Sequence, residues 1–169
     1  MKTLLVEPLT AENFSKFGEV IETCKRHAHF INQGQTERFH ALARINIKNE
    51  HSLISIFRTK HLNFPIVIPM LERHALGSQA IYPINQKPFL VVVAEQGDNI
   101  DLSTVRAFIT NGKQGVNYFA GTWHAPTIAL ESTTDMLVVD RGGADNCEEQ
   151  ILDTPFVINA IELVTEKHA

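Results

Sequence analysis

The chain has 169 residues, 44% apolar and 20% charged, which excludes a largely disordered polymer. Fifteen Lys and Arg against nineteen Asp and Glu leave a formal charge of −4, so no basic excess exists to hold a phosphate backbone, and nucleic acid is excluded as the expected partner. The two cysteines, Cys24 and Cys147, lie in no C-x-x-C and are too few for a disulfide scaffold. No apolar run approaches the roughly 18 residues that a membrane span needs. The N-terminus lacks the apolar core and cleavage site of a secretory leader. The expected setting is therefore cytoplasmic, with one domain over residues 1–169.

In chain order, Thr10 is expected to cap a short helix over residues 11–17, with Phe14 and Phe17 on one face and Gly18 just past its end. Residues 41–48 alternate, with Ala41, Ala43, Ile45 and Ile47 on one side, as a half-buried strand requires. Residues 53–57 and 64–68 are short and rich in β-branched side chains. Residues 89–94 are continuously apolar, as in a strand covered on both faces, and residues 96–99 form a turn. Residues 105–110 follow, and Asn111-Gly112 predicts a hairpin. Residues 116–118, 127–131 and 136–140 complete the series. Residues 156–158 suit either a last strand or a short helix. Many short strands and few helices predict a mainly β fold, an antiparallel sandwich or barrel with one or two short helices. Such folds bind ligands in their mouths, so inward-facing polar side chains are the ones to seek.

Phosphate-cradling, dinucleotide, nucleophile-elbow and H-E-x-x-H motifs are all absent. Histidines remain. If Glu72 and His74 share a strand, the period of two puts both on one face, and Gln79 re-enters beside them after a turn. Gly121 supplies a tight turn, after which His124 opens a new strand beside Trp123, where desolvation would lower its pKa. His27 and His29 form an H-x-H that reads as an exposed segment, because no third ligand is placed after it. His40 lies near Arg38 and within reach of a ligand. Arg106 and Arg141 are candidate carboxylate forks.

Glu72-x-His74-x-x-x-x-Gln79 and Phe119-Ala-Gly121-Thr-Trp-His124 resemble the two cupin motifs, H-x-H-x(3,4)-E and P-x-G-x-x-H. The usual three-His, one-Glu metal set becomes Glu72, His74, Gln79 and His124, and Gln is a weak neutral ligand. Further pieces in order along the chain are similar to the ureidoglycolate lyase family. They are Phe30-Ile-Asn-Gln-Gly34, Glu37-Arg-Phe-His40, Arg106-Ala-Phe-Ile-Thr-Asn-Gly112, Gln114-Gly-Val-Asn-Tyr118 and Val139-Asp-Arg-Gly-Gly143. The resemblance implies a cupin-type antiparallel β-barrel or jelly roll and a homodimer. It also implies release of urea from (S)-ureidoglycolate, leaving glyoxylate, late in allantoin and purine breakdown. Nickel is associated with the family, and those four residues would be its ligands.

That chemistry assigns expected roles. Either His74 or His124 is the general base and the other the proton donor, while Glu72 tunes a histidine or serves as the base itself. Gln79, Tyr118, Arg141 and His40 are expected at the substrate. The alternatives are another cupin enzyme, a metal-dependent oxygenase or an epimerase, and a cupin that binds a small molecule without turnover. Firm iron ligands and a basic cluster for a nucleotide diphosphate are both missing, which argues against the first two.

Overall fold

A computed structural model describes residues 1–24, 28–144 and 146–161. In chain order the strands are β1 (Lys2–Thr3), β2 (Val6–Pro8), β3 (Gly18–Ile21), β4 (Ala28–Ile31), β5 (Thr36–Phe39), β6 (Ser52–Thr59), β7 (Ile66–Arg73), β8 (Gln79–Pro83), β9 (Phe89–Ala94), β10 (Arg106–Ile109), β11 (Gly115–Tyr118), β12 (Trp123–His124), β13 (Ile128–Ala129), β14 (Thr134–Arg141) and β15 (Glu148–Ile158). The large sheet runs β1-β15-β7-β12-β9-β10-β2, with β13 also on β9. A five-stranded sheet runs β3-β11-β8-β14-β6, and β4-β5 is a separate hairpin. Pairing between the named strands is antiparallel except for β1 with β15 and β2 with β10. The curled sheets give the expected mainly β, cupin-like fold.

The run at β9 explains how the sheets pack. Phe89, Val91 and Val93 meet Ile81, Val116, Tyr118, Met136 and Val138 of the small sheet. Leu90, Val92 and Ala94 point the other way, into a second core with Ile68, Leu71, Ala107, Trp123 and Phe156. A strand with apolar partners on both sides has no place for alternation. The residues left open at 156–158 are strand, the end of β15.

Three local expectations are corrected. Residues 11–17 form consecutive turns, not a regular helix: Phe14 N–H bonds Thr10 O, Gly18 N–H bonds Phe14 O, and the bonds between reach only three residues back. The cap itself forms, since Thr10 and Asn13 exchange reciprocal side-chain bonds. Seven residues are too few to repay helix nucleation, so burial of Phe14 and Phe17 holds the segment. The helical content is otherwise one 3-10 turn, Asn32–Gly34, among the described residues.

Residues 41–48 do not join a sheet. Their backbone bonds go instead to Glu19 Oε2 from Arg44, to Ser78 Oγ from Asn46, and to Leu76 O from Lys48. Ala41, at φ 53°, breaks the extended run. Asn111-Gly112 turns as expected, with Gly112 at φ 83°, but it is a corner and not a hairpin. It carries the chain from β10 in the large sheet to β11 in the small one.

Candidate active site

A strand of two residues places the most important side chain. Gly121, at φ 85°, turns the chain into β12, and its N–H bonds His74 O. The two residues of β12 then face opposite ways. Trp123 enters the second core, and its Nε1–H bonds Gly97 O. His124 points between the sheets, 1% exposed. In the ladder His124 pairs with Glu72 of β7, and Glu72 Oε1 lies 3.6 Å from His124 Nε2. His74, just past the end of β7, brings its ring centroid to 5.2 Å from that of His124.

Each imidazole has its Nδ1 against a backbone carbonyl: His74 on Asn146 O at 2.8 Å, His124 on Thr122 O at 2.9 Å. A carbonyl only accepts, so each neutral ring carries its proton on Nδ1 and a lone pair on Nε2. Both Nε2 atoms are buried and have no hydrogen-bond partner among the described residues. Burial, then His74, lowers the His124 pKa to about 3, against the opposing bond to Thr122. His124 is therefore neutral at physiological pH. Tyr118 stacks on it at 4.2 Å between centroids and 13° between planes. Burial, then Glu72, raises the Tyr118 pKa, so its hydroxyl keeps its proton.

A cavity of about 190 Å³ opens here, lined by the polar side chains of Glu72, Gln79, His124, Thr59 and Thr127 together with Phe57, Ile81 and Pro126. Its size suits a small metabolite. Gln79, 5% exposed, opens β8 and donates Nε2–H to Asp140 Oδ2 at 3.3 Å. Sequence reasoning missed Asp140. Its signal was parity, because Met136, Val138 and Asp140 share one face of β14 and the first two are core.

Glu72, His74, Gln79, His124 and Tyr118 therefore come together. Arg141 and His40 do not. The Arg141 guanidinium is occupied by Lys48 O and Ala144 O, and so braces the loop whose Asn146 carbonyl holds His74. His40 is exposed beyond β5, edge-on to His29 at 5.9 Å in the β4-β5 hairpin. Arg106 is paired with Glu7 and bonds Asn13 O. His27 lies outside the described residues.

The donor set fits a divalent metal ion. Ligand atoms of Glu72, His74 and His124 lie within 4.8 Å of one another. Both imidazoles present bare Nε2 atoms while Nδ1–H is fixed on a carbonyl, the usual outer support of a metal-bound histidine. Two nitrogens and a carboxylate suit nickel or zinc.

Comparison with known proteins agrees with the sequence likeness. The family model described as ureidoglycolate lyase matches residues 1–159. The chain is 49% identical over 156 residues to a protein of Pseudomonas fluorescens SBW25 named ureidoglycolate lyase, covering 90% of this chain and 93% of that one. It is 51% identical over 152 residues to one of the same name from Pseudomonas aeruginosa PAO1, covering 88% and 90%. A Salmonella typhimurium LT2 protein, again of that name, is 49% identical over 152 residues, covering 89% and 95%.

Proposed function

The chain belongs to the ureidoglycolate lyase family, and from that premise we propose that it cleaves (S)-ureidoglycolate into glyoxylate and urea in the cavity between Glu72 and His124. The substrate carbon carries a hydroxyl, a carboxylate and a urea nitrogen. The hydroxyl loses its proton as C=O forms, the C–N pair stays with nitrogen, and that nitrogen takes up a proton. No water is consumed, so the buried, largely apolar wall suits the reaction.

The side chains divide the work by what they can hold. With Nδ1–H held on a carbonyl, the Nε2 lone pairs of His74 and His124 accept and do not donate, and His124 lines the cavity. Glu72 can take a proton and return it, and it lies against His124. It is assigned the transfer from the substrate hydroxyl to the departing nitrogen, a step of the kind that contributes about 10²–10⁴ in rate. Gln79 and Tyr118 orient the substrate. Arg141 steadies His74 from behind.

Among the described residues no Lys or Arg lines the cavity, and the substrate is an anion. A divalent ion such as nickel would be held by the Nε2 atoms of His74 and His124 with Glu72, the Gln79 amide standing beside them, and it would supply the positive charge that polarises the substrate oxygens. The observation that carries the proposal is the pair of buried, unpartnered Nε2 atoms beside one carboxylate.

We assign the protein to the cytoplasm, among soluble steps of allantoin breakdown. No helix among the described residues is long and apolar enough to cross a membrane. We also assign a homodimer, supported by β6, an edge strand among the described residues, which leaves Leu53, Ile54, Ile56 and Phe57 exposed. The activity is tested by incubating the purified protein with ureidoglycolate and measuring urea and glyoxylate in equal amounts. No urea above the uncatalysed rate would refute it.

A further inference from the structure

We propose that Asp140 fixes the polarity of the Gln79 amide, so that the cavity meets the Gln79 carbonyl oxygen and not its NH2 group. The inference rests on the reading that this cavity binds the substrate. Asp140 stands on the inward row of β14, after Met136 and Val138, where an apolar side chain would otherwise sit. It lies on the strand that pairs with β8, where Gln79 is the first residue. A carboxylate accepts and does not donate, so Gln79 must turn Nε2 toward Asp140, as it does at 3.3 Å. The amide is planar. Holding its nitrogen on Asp140 turns Oε1 to the opposite side. Among the described residues that oxygen has no hydrogen-bond partner, and Gln79 lines the cavity, so Oε1 is the end of the amide left to meet a ligand there.

The two ends of a glutamine amide have nearly the same shape. Without Asp140 either could face the substrate. With it, the cavity meets the Gln79 oxygen as an acceptor, in a polar lining that also holds Glu72, His124 and the hydroxyls of Thr59 and Thr127. At the Gln79 position the oxygen selects a ligand group that donates, such as a ureido N–H, over one that only accepts. Asp140 touches Gln79 and not the substrate, so it is a positioning residue that sets specificity through its neighbour.

The test compares Asp140→Asn, Gln79→Glu and the double variant, by steady-state urea release, thermal denaturation and the side-chain amide resonances of Gln79 in ¹⁵N spectra. In D140N the new amide can offer either end, so Gln79 can flip. KM is expected to rise about tenfold, with a smaller change in kcat and an unchanged melting temperature. In Q79E two carboxylates face each other. In the double variant the amide introduced at position 140 donates to the carboxylate introduced at position 79, and an oxygen again faces the cavity, so KM is expected to recover toward the wild-type value. The Gln79 amide signals are expected to move in D140N. An unchanged KM with unmoved Gln79 signals in D140N would overturn the inference, as would a double variant no better than either single one. Absence of urea release by the wild type would refute the functional reading alone, and the ¹⁵N spectra would still decide which way the amide points.

Discussion

Glu72 and His124 are direct cross-strand partners, their side chains 3.6 Å apart at Oε1 and Nε2, although their strands β7 and β12 lie far apart in the chain. The pair works because the two residues of β12 point to opposite faces. One residue anchors the strand in the second core through Trp123, and the other reaches the first core and the cavity. A slip of one residue would exchange indole and imidazole and abolish the site.

The bare nitrogens have a consequence for metal binding. Chelation of the purified protein is expected to lower urea release, and added Ni²⁺ to restore it. His74→Asn and His124→Asn are expected to keep the fold, to lose the restoration, and to weaken Ni²⁺ binding in calorimetry by about 10-fold or more. Full turnover after exhaustive chelation would exclude an essential ion.

The lowered His124 pKa makes stability depend on pH in a defined direction. Between about 6.5 and about 3 the unfolded chain binds a proton at this histidine and the folded protein does not. Stability therefore falls as pH drops through that window. Below it both states are protonated and the loss stops growing. Melting temperatures of the wild type and H124N, measured from pH 7 to pH 4, are expected to converge toward acid, because the variant lacks this term.

Cys147 turns its thiol toward Glu72 Oε2, 3.6 Å away. Burial first, then Glu72 and the nearby Glu149 and Glu148, push its pKa up to about 11. Alkylation at pH 8.5, followed by mass spectrometry of the Cys147 peptide, is expected to run on the order of 100-fold slower than for an ordinary thiol, because the thiolate is scarce. Glu72→Gln is expected to speed it.

Much of the site was legible because strand parity is a local property. Glu72 and His74, two residues apart, had to share a side, and the glycine at 121 had to turn the chain before His124. The continuous apolar run at residues 89–94 gave its two-sided burial for the same reason. The errors concern partners that lie far away in sequence. Asn111-Gly112 encodes a turn, but nothing local says that its two strands enter different sheets. The alternation at residues 41–48 resembles a strand, yet Glu19 and Ser78 side chains take hydrogen bonds that a sheet neighbour would have supplied. Arg141 was expected to grip a carboxylate, but its guanidinium serves backbone carbonyls equally well, and Lys48 and Ala144 provide them.

The most direct test is Glu72→Gln, which keeps the size of the side chain and removes its ability to carry a proton. Urea release from ureidoglycolate by the folded variant, matched to the wild type in thermal midpoint, is expected to fall by about 10²–10⁴. A folded E72Q protein with undiminished turnover would contradict the account, because the reaction would then run without the carboxylate that His124 faces.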